Sequence, residues 1–240
     1  MGFVHSWEVG STVDGPGVRM TIWTTGCEMR CMYCHNPDTW KRHNGQPTDV
    51  DELLTEIRGY APFLKTAHGG VTISGGEPLV QAAFVMRLLR GCRAMGLHTA
   101  LDTNGAMGGR LSDNDLAAID LVLLDIKSWN PDTHRRVTGV DVAPVLRFAR
   151  RLSDRGVPAW VRFVLVPGLT DAAENIAGLA QFVSTLRNVE RVEILPFHQM
   201  GRAKWYELGL RYDLAQTPPA DEDAVERVRA VFRERGLPVR

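Results

Sequence analysis

Hydrophobic positions along the chain follow two alternating periods. Short β-branched runs at residues 18–24, 71–74, 97–101, 121–124, 159–165 and 191–195 read as strands. Between them apolar residues recur three and four apart, the period of a helix with one buried face. Val50, Leu53, Leu54, Ile57 and Leu64 share such a face, with Thr48 as the predicted cap and Asp51 three residues on. Val85, Leu88, Leu89, Cys92 and Met95 share the next, and Gly96 supplies a left-handed stop. Ser112 with Asp115 predicts a short capped helix, residues 142–154 a helix closed by Gly156, and Asp171 with Glu174 a capping box for a helix reaching about residue 186. Residues 220–235 make a last amphipathic helix after the Pro218-Pro219 break.

Six strand-then-helix units predict a parallel α/β fold, a single domain over residues 1–240 with residues 1–17 and the helix at 220–235 packed on the core. Right-handed crossovers would curl six units into a partial (β/α)6 TIM-like barrel; an open sheet of six strands is the alternative. Both architectures place ligand chemistry in the loops after the C-terminal strand ends. The unusual segments fall there: the cysteine run, Gly75-Gly76-Glu77-Pro78, Asp102-Thr103-Asn104-Gly105, Asp125-Ile126-Lys127, Val166-Pro167-Gly168 and Pro196-Phe197-His198. The opposite ends carry mostly helix stops and simple caps, so turn chemistry alone does not account for the asymmetry.

Composition narrows the function. The chain has 240 residues, 44% hydrophobic and 23% charged, which is ordinary for a globular protein. Acidic and basic residues balance at 28 each, without the electrostatic footprint of a nucleic-acid or anionic-membrane binder. The first residues lack a basic region followed by an apolar run, and no stretch reaches the ~18 apolar residues of a membrane span, so a cytoplasmic location is expected. Among the basic residues only four are Lys, so a Lys inside a polar motif carries more information than usual.

Three of the four cysteines lie within eight residues, which points to a metal or redox site in a reducing compartment and away from a disulfide framework. Cys27, Cys31 and Cys34 form C-x-x-x-C-x-x-C, and thiolates at these spacings can wrap one compact centre from one loop. A zinc site completed by His35, or three unrelated thiols, are the plainer readings. Closed zinc sites usually pair two short ligand motifs, and no second pair exists here. Three cysteines on a four-iron cube leave one iron open to chemistry.

The triple cysteine with an aromatic residue before the last resembles the signature of the radical S-adenosylmethionine (SAM) superfamily, and the six-unit barrel resembles its core. The runs at residues 12–19 (TVDGPGVR), 34–36 (CHN), 101–105 (LDTNG), 124–127 (LDIK) and 195–198 (LPFH) resemble its glycyl-radical activases, in particular those acting on pyruvate formate-lyase. This resemblance implies an oxidoreductase with one [4Fe-4S] cluster on Cys27, Cys31 and Cys34. Its open iron would chelate S-adenosylmethionine, and one electron would cleave the sulfonium to give a 5′-deoxyadenosyl radical that removes a glycine Cα hydrogen from a partner enzyme. It further implies S-adenosylmethionine contacts at Tyr33, Cys34, His35, Gly76, Asp125, Ile126, Lys127 and His198. Asp102 and Thr103 would hold a monovalent cation and Asp14 would meet the substrate's glycine loop, while no side chain acts as an acid or base. Reduced flavodoxin or ferredoxin is the implied electron donor, and a monomer is expected. Residues 36–48 carry no cysteine, so the chain resembles the short, one-cluster form, and Pro78 stands where close pyruvate formate-lyase activases have Ala.

Each residue also has a plainer role. Gly75-Gly76 can be a turn, Asp102 a loop cap, Lys127 a solvated charge, His198 a hydrogen-bonded structural residue and Asp14 part of a β-turn. Arg162 alternates with Trp160 and Val164 and faces the barrel interior, toward cofactor or a structural carboxylate; Cys92 belongs to core packing. The competing functions are radical chemistry on a small molecule and a non-catalytic metal-binding interaction module. The module leaves the other loop motifs unexplained.

Overall fold

The computed structural model describes residues 1–240 and begins with a strand that the apolar pattern does not announce. β1 (Gly2–Ser11) is followed by β2 (Arg19–Thr24), β3 (Gln46–Thr48), α1 (Val50–Thr66), β4 (Gly70–Gly75), α2 (Ala82–Ala94), β5 (His98–Thr103), α3 (Asp113–Leu116) and β6 (Leu121–Asp125). The chain continues through α4 (Pro131–Thr138), α5 (Ala143–Asp154), β7 (Ala159–Leu165), α6 (Ala173–Ser184), β8 (Val189–Pro196), α7 (Arg202–Glu207) and α8 (Glu222–Arg233). The strands hydrogen-bond in the order β3-β1-β2-β4-β5-β6-β7-β8. β2 with β4, β4 with β5 and β7 with β8 are parallel, and β1 is antiparallel to both β2 and β3. The fold is therefore α/β with a mostly parallel sheet, as expected. The six anticipated strands are all present, with β1 and β3 as antiparallel additions. Most of β1's middle residues are exposed and β3 is three residues long with Pro47 at its centre, so neither shows the apolar run of a buried strand.

The chain forms two compact units. The first comprises Met1–Glu28, Thr39–Thr103 and Met107–Leu123. Its strands bury Met20, Ile22, Val71, Ile73, Ala100 and Leu101 completely, and helices contribute Ile57, Leu64, Val85, Leu88, Leu89 and Cys92. Each large aliphatic side chain so removed from water contributes roughly 1.5–3 kcal/mol. In-phase pairing, from Arg19 opposite Gly70 to Thr24 opposite Gly75, brings the ends of β2 and β4 to one edge. The second unit comprises Met29–Asp38, Asn104–Ala106 and Leu124–Arg240, with Val145, Leu152, Val161, Phe163, Leu179 and Phe232 at its centre. There Leu165 stands opposite Pro196, so the loops after β7 and β8 share an edge.

Helix ends show where local signals compete. Asp49, not Thr48, caps α1: its side chain accepts from Asp51 N, while Thr48 closes β3 and donates to Gln46 O. The Ser112–Asp115 capping box forms as read. The Asp171–Glu174 box does not: Asp171 Oδ2 accepts from Gly168 N at 2.9 Å, so its carboxylate closes the preceding turn and α6 starts at Ala173 without a side-chain cap. Asp221 caps α8, and Gly96 and Gly156 take the left-handed conformation expected of helix stops.

One side chain in the first unit holds together what the sheet alone does not. Arg19 is completely buried at the start of β2. Its Nε donates to Thr72 Oγ1 at 3.0 Å, Nη2 to Val71 O at 2.7 Å and His98 O at 3.3 Å, and Nη1 to Pro16 O at 3.3 Å. Burial lowers its pKa to about 10, against the pull of Asp14, and the guanidinium still keeps its charge at neutral pH. A lysine cannot reach carbonyls on three segments with one ammonium. Arg19→Lys is expected to lower stability by about 2–4 kcal/mol, because it leaves buried carbonyls without donors. Urea unfolding checks this, and a loss within error of zero would contradict it.

Candidate active site

In the first unit the loops after β2 and β4 are tied to each other by backbone, and side chains tie the loop after β4 to the end of β5. Gly26 N donates to Thr39 O at 2.7 Å and Cys27 N to Trp40 O at 3.0 Å, so Cys27 is held from behind by a segment thirteen residues on. Glu77 N donates to Gly26 O at 2.8 Å, and the Glu77 carboxylate, fully buried, accepts from Leu79 N at 2.9 Å and Thr103 Oγ1 at 2.7 Å. Glu77 is thus the internal tie of the Gly-Gly-Glu-Pro loop. Two glycines make room for it. Gly75 has φ +132°, and a Cβ there would lie 2.1 Å from Thr24 O; a Cβ on Gly76 would lie 2.6 Å from Gly26 O. The closeness at Gly76 is therefore first to the chain's own cysteine loop, a role the sequence reading did not assign.

Asp102 does not cap a helix; its Oδ2 accepts from Ser74 Oγ at 2.7 Å, which fixes the carboxylate across the ends of β4 and β5. Asp14 is anchored within the turn ahead of β2. Its Oδ2 accepts from Ser11 Oγ at 2.6 Å and Thr21 Oγ1 at 3.1 Å, and its carbonyl accepts from Thr72 Oγ1 at 2.6 Å.

In the second unit the rest of the cysteine loop is held by two helices that the sequence reading passed over. Arg30 N donates to Thr138 O at 2.8 Å and Met32 N to Val137 O at 2.9 Å, both at the C-terminal end of α4. Trp205 of α7 donates from Nε1 to Cys34 O at 2.8 Å, and Lys204 Nζ reaches Asn36 Oδ1 at 2.8 Å and Asp38 Oδ2 at 3.1 Å. Gly201 lets α7 approach, since a Cβ there would sit 2.9 Å from His35 Cα. α4 had legible signals: Asn130 caps it, Pro131 is its first residue and Gly139 ends it in the left-handed conformation. α7 is only six residues long, too short for a period to emerge.

The same unit gathers Tyr33, Asp125 and Lys127. Lys127 Nζ bonds Asp125 Oδ2 at 2.7 Å and stands 5.9 Å from the centre of the Tyr33 ring. Burial works against the Lys127 charge, and the Asp125 carboxylate more than offsets it, so the ammonium titrates above its usual range. The solvated-charge alternative for Lys127 is set aside by this burial. Burial raises the Tyr33 phenol well above its usual value, and its hydroxyl has no hydrogen-bond partner within the protein. His35 meets His198 edge-on, ring centroids 5.2 Å apart, and burial, then His198, lowers its pKa. His198 Nδ1 accepts from Met200 N at 3.3 Å. Arg162 has the structural partner: Nε donates to Glu193 Oε2 at 2.9 Å on the neighbouring strand.

Thiols at three positions of one loop are the donor chemistry that an iron–sulfur cluster takes. Cys27, Cys31 and Cys34 are half-buried thiols outside any disulfide, while Cys92 is buried in the core of the first unit. Backbone hydrogen bonds from Cys27 N, Arg30 N and Met32 N, and from Trp205 to Cys34 O, set the main chain at all three loop positions. The unpartnered Tyr33 hydroxyl, one residue before Cys34, is the kind of buried donor that a bound ligand satisfies.

A family model described as the Radical SAM superfamily matches residues 21–180. The pyruvate formate-lyase-activating enzyme of Staphylococcus epidermidis is 45% identical over 232 residues, covering 94% of this chain and 92% of its own. The pyruvate formate-lyase 1-activating enzyme of Escherichia coli is 40% identical over 238 residues, covering 98% and 97%. The chain belongs to the pyruvate formate-lyase-activating enzyme family of the radical SAM superfamily. Among solved structures, a domain of such an activating enzyme from Bacteroides vulgatus superposes with a TM-score of 0.61 at 25% identity, over 72% of this chain and 98% of its own. Streptococcus suis SuiB bound to precursor peptide SuiA superposes at 0.68 over 91% of this chain and 47% of its own; at 16% identity this is a likeness of fold. For this activating-enzyme relative, family membership implies an iron–sulfur cluster and S-adenosylmethionine as cofactors. No helix is long and apolar enough to cross a membrane.

Proposed function

We propose that this chain activates pyruvate formate-lyase by removing a Cα hydrogen from a glycine of that partner, leaving a glycyl radical. The observation that carries the reading is similarity to activating enzymes over nearly the whole chain, 45% and 40% identity across 94% and 98% of its length. Cys27, Cys31 and Cys34 hold a [4Fe-4S] cluster. When bound, that cluster supplies the single electron that cleaves S-adenosylmethionine, with methionine as the leaving group and 5′-deoxyadenosine as the product that carries away the glycine hydrogen.

The chain's residues bind and orient. Lys127 and Asp125, already paired, offer a cation to the carboxylate and an anion to the hydroxyls of S-adenosylmethionine, with Ile126 buried between them. Tyr33 donates its free hydroxyl, Cys34 and His35 contribute backbone and ring, Gly76 contributes backbone, and His198 supports His35. Asp102, held by Ser74, and Thr103 offer oxygens to a monovalent cation. The Asp14 turn, fixed by Ser11, Thr21 and Thr72, meets the glycine-bearing segment. Reduced flavodoxin or ferredoxin supplies the electron to a cytoplasmic monomer.

The test is anaerobic incubation of the reduced, reconstituted protein with S-adenosylmethionine and pyruvate formate-lyase, read by electron paramagnetic resonance. A glycyl-radical signal, with deuterium passing from a Cα-deuterated glycine into 5′-deoxyadenosine, is expected. S-adenosylmethionine cleavage without label from any glycyl-radical partner would overturn the proposal in favour of a small-molecule substrate.

A further inference from the structure

His134 lies in α4, completely buried and outside every motif singled out in the sequence. Its Nδ1 is 3.0 Å from Val140 O. A carbonyl only accepts, so Nδ1 carries the proton and the ring is the Nδ1–H tautomer. Nε2 is then a bare acceptor, and it is buried without a partner. The side chain thus satisfies its donor and leaves its acceptor unsatisfied. Burial lowers the pKa, the Val140 bond raises it and Lys127 lowers it, so the ring is neutral at physiological pH.

The bond to Val140 closes a small polar knot beyond the helix end. Thr138 Oγ1 donates to His134 O at 2.8 Å, lies 3.2 Å from His134 Nδ1, and accepts from Val140 N at 3.2 Å. Gly139, at φ +81°, turns the chain back and donates to Arg135 O at 2.8 Å. A helix leaves its last carbonyls without partners inside the helix. In α4 the carbonyls of Arg135 and His134 are taken by Gly139 and Thr138, and those of Val137 and Thr138 project to Met32 N and Arg30 N. These last two bonds flank Cys31. The direction of the Val137 and Thr138 carbonyls depends on the reversal at Gly139–Val140, and the only ring donor fastening that reversal is His134 Nδ1.

We infer that His134 is a positioning residue for the cysteine loop: its Nδ1–H bond to Val140 sets the end of α4, whose two outward carbonyls hold the backbone on either side of Cys31. Its relevance to the cluster rests on the reading that Cys31 is a ligand; the backbone positioning itself does not.

Asn and Gln separate the two ring nitrogens. The amide nitrogen of Asn stands where Nδ1 stands, and that of Gln where Nε2 stands. His134→Asn is expected to keep the protection of the Arg30 and Met32 amides in hydrogen exchange on the metal-free full-length protein. His134→Gln should lose about tenfold of it, and Thr138→Val should behave like Gln, with Thr138→Ser restoring protection. In reconstituted protein the Gln and Val variants should retain the cluster roughly tenfold less well against a chelator, and the Asn and Ser variants should match wild type. The inference is overturned if exchange at Arg30 and Met32 is the same in all four variants, or if Gln preserves it and Asn does not. Wild-type exchange behaviour as expected with no cluster in any protein would sink the ligand reading and leave the positioning role standing.

Discussion

Cys31→Ala is expected to give a folded protein that assembles almost no four-iron cluster and yields no glycyl radical, whereas Cys92→Ala keeps both. The contrast follows from what each side chain does. The backbone around Cys31 is held by Val137 and Thr138, and that around Cys34 by Trp205, through main-chain atoms that the substitution leaves in place. Loss of the thiol therefore removes the proposed ligand and not the loop. Cys92 packs completely buried on α2, and burial pushes its thiol up to about 12, so it offers no thiolate at neutral pH. Its replacement by Ala leaves a small cavity worth about 1 kcal/mol. Iron and sulfide analysis with electron paramagnetic resonance checks the pair, and a normal active cluster in the Cys31→Ala protein would refute the ligand assignment. Cys27→Ala and Cys34→Ala are expected to follow Cys31→Ala.

Lys127→Met is expected to weaken S-adenosylmethionine binding at least ~10-fold, a loss of about 1.4 kcal/mol or more, while the spectrum of the cluster without ligand stays unchanged. A hydrogen bond to a charged group contributes roughly 1.5–3 kcal/mol, so one lost contact suffices. The lysine side chain is 13% exposed and its Asp125 partner 24%, which leaves Asp125 enough water that the fold survives the broken pair. Asp125→Asn should weaken binding as well, because it unpairs the cation that the ligand carboxylate would share. Calorimetry on the reconstituted protein checks both, and unaltered affinity in the two variants would mean the ligand binds elsewhere in the chain.

What could be read from residues alone divides along physical lines. β7 spans Ala159–Leu165 as read, and β6 differs by one residue, because buried parallel strands must be continuously apolar. β1 escaped because its middle residues Ser6, Trp7 and Glu8 are exposed, and exposure there interrupts the apolar run. The burial of Cys92 was legible because helical spacing places it on the apolar face of α2, whereas the ion pair between Asp125 and Lys127 was not read although both lie in one short run. The partners of Arg19 and the tie from Glu77 to Thr103 were not legible, since they join residues 26 to 79 positions apart and no local period encodes such a contact. Asp171 shows the reverse error. Its position fits a capping box, yet a nearer backbone N–H at Gly168 takes the carboxylate first.

The two ends of the strand order bear on how a protein partner can be engaged. β3 contributes three residues to one edge, with Pro47 unable to offer an N–H. At the other edge, Val192 N donates to Pro238 O at 2.8 Å and Arg240 N to Val192 O at 3.0 Å, so residues 238–240 already occupy the open side of β8 around Val192. Exposed strand edges are templates for aggregation and for recognition by β-augmentation. A visiting peptide that sought to pair with β3, or with β8 beside Val192, would meet a proline-blunted stub or would have to displace an annealed segment. Under the proposed function, a glycine-bearing loop held by side-chain and turn contacts instead would keep its own backbone free to bend toward the reacting atom.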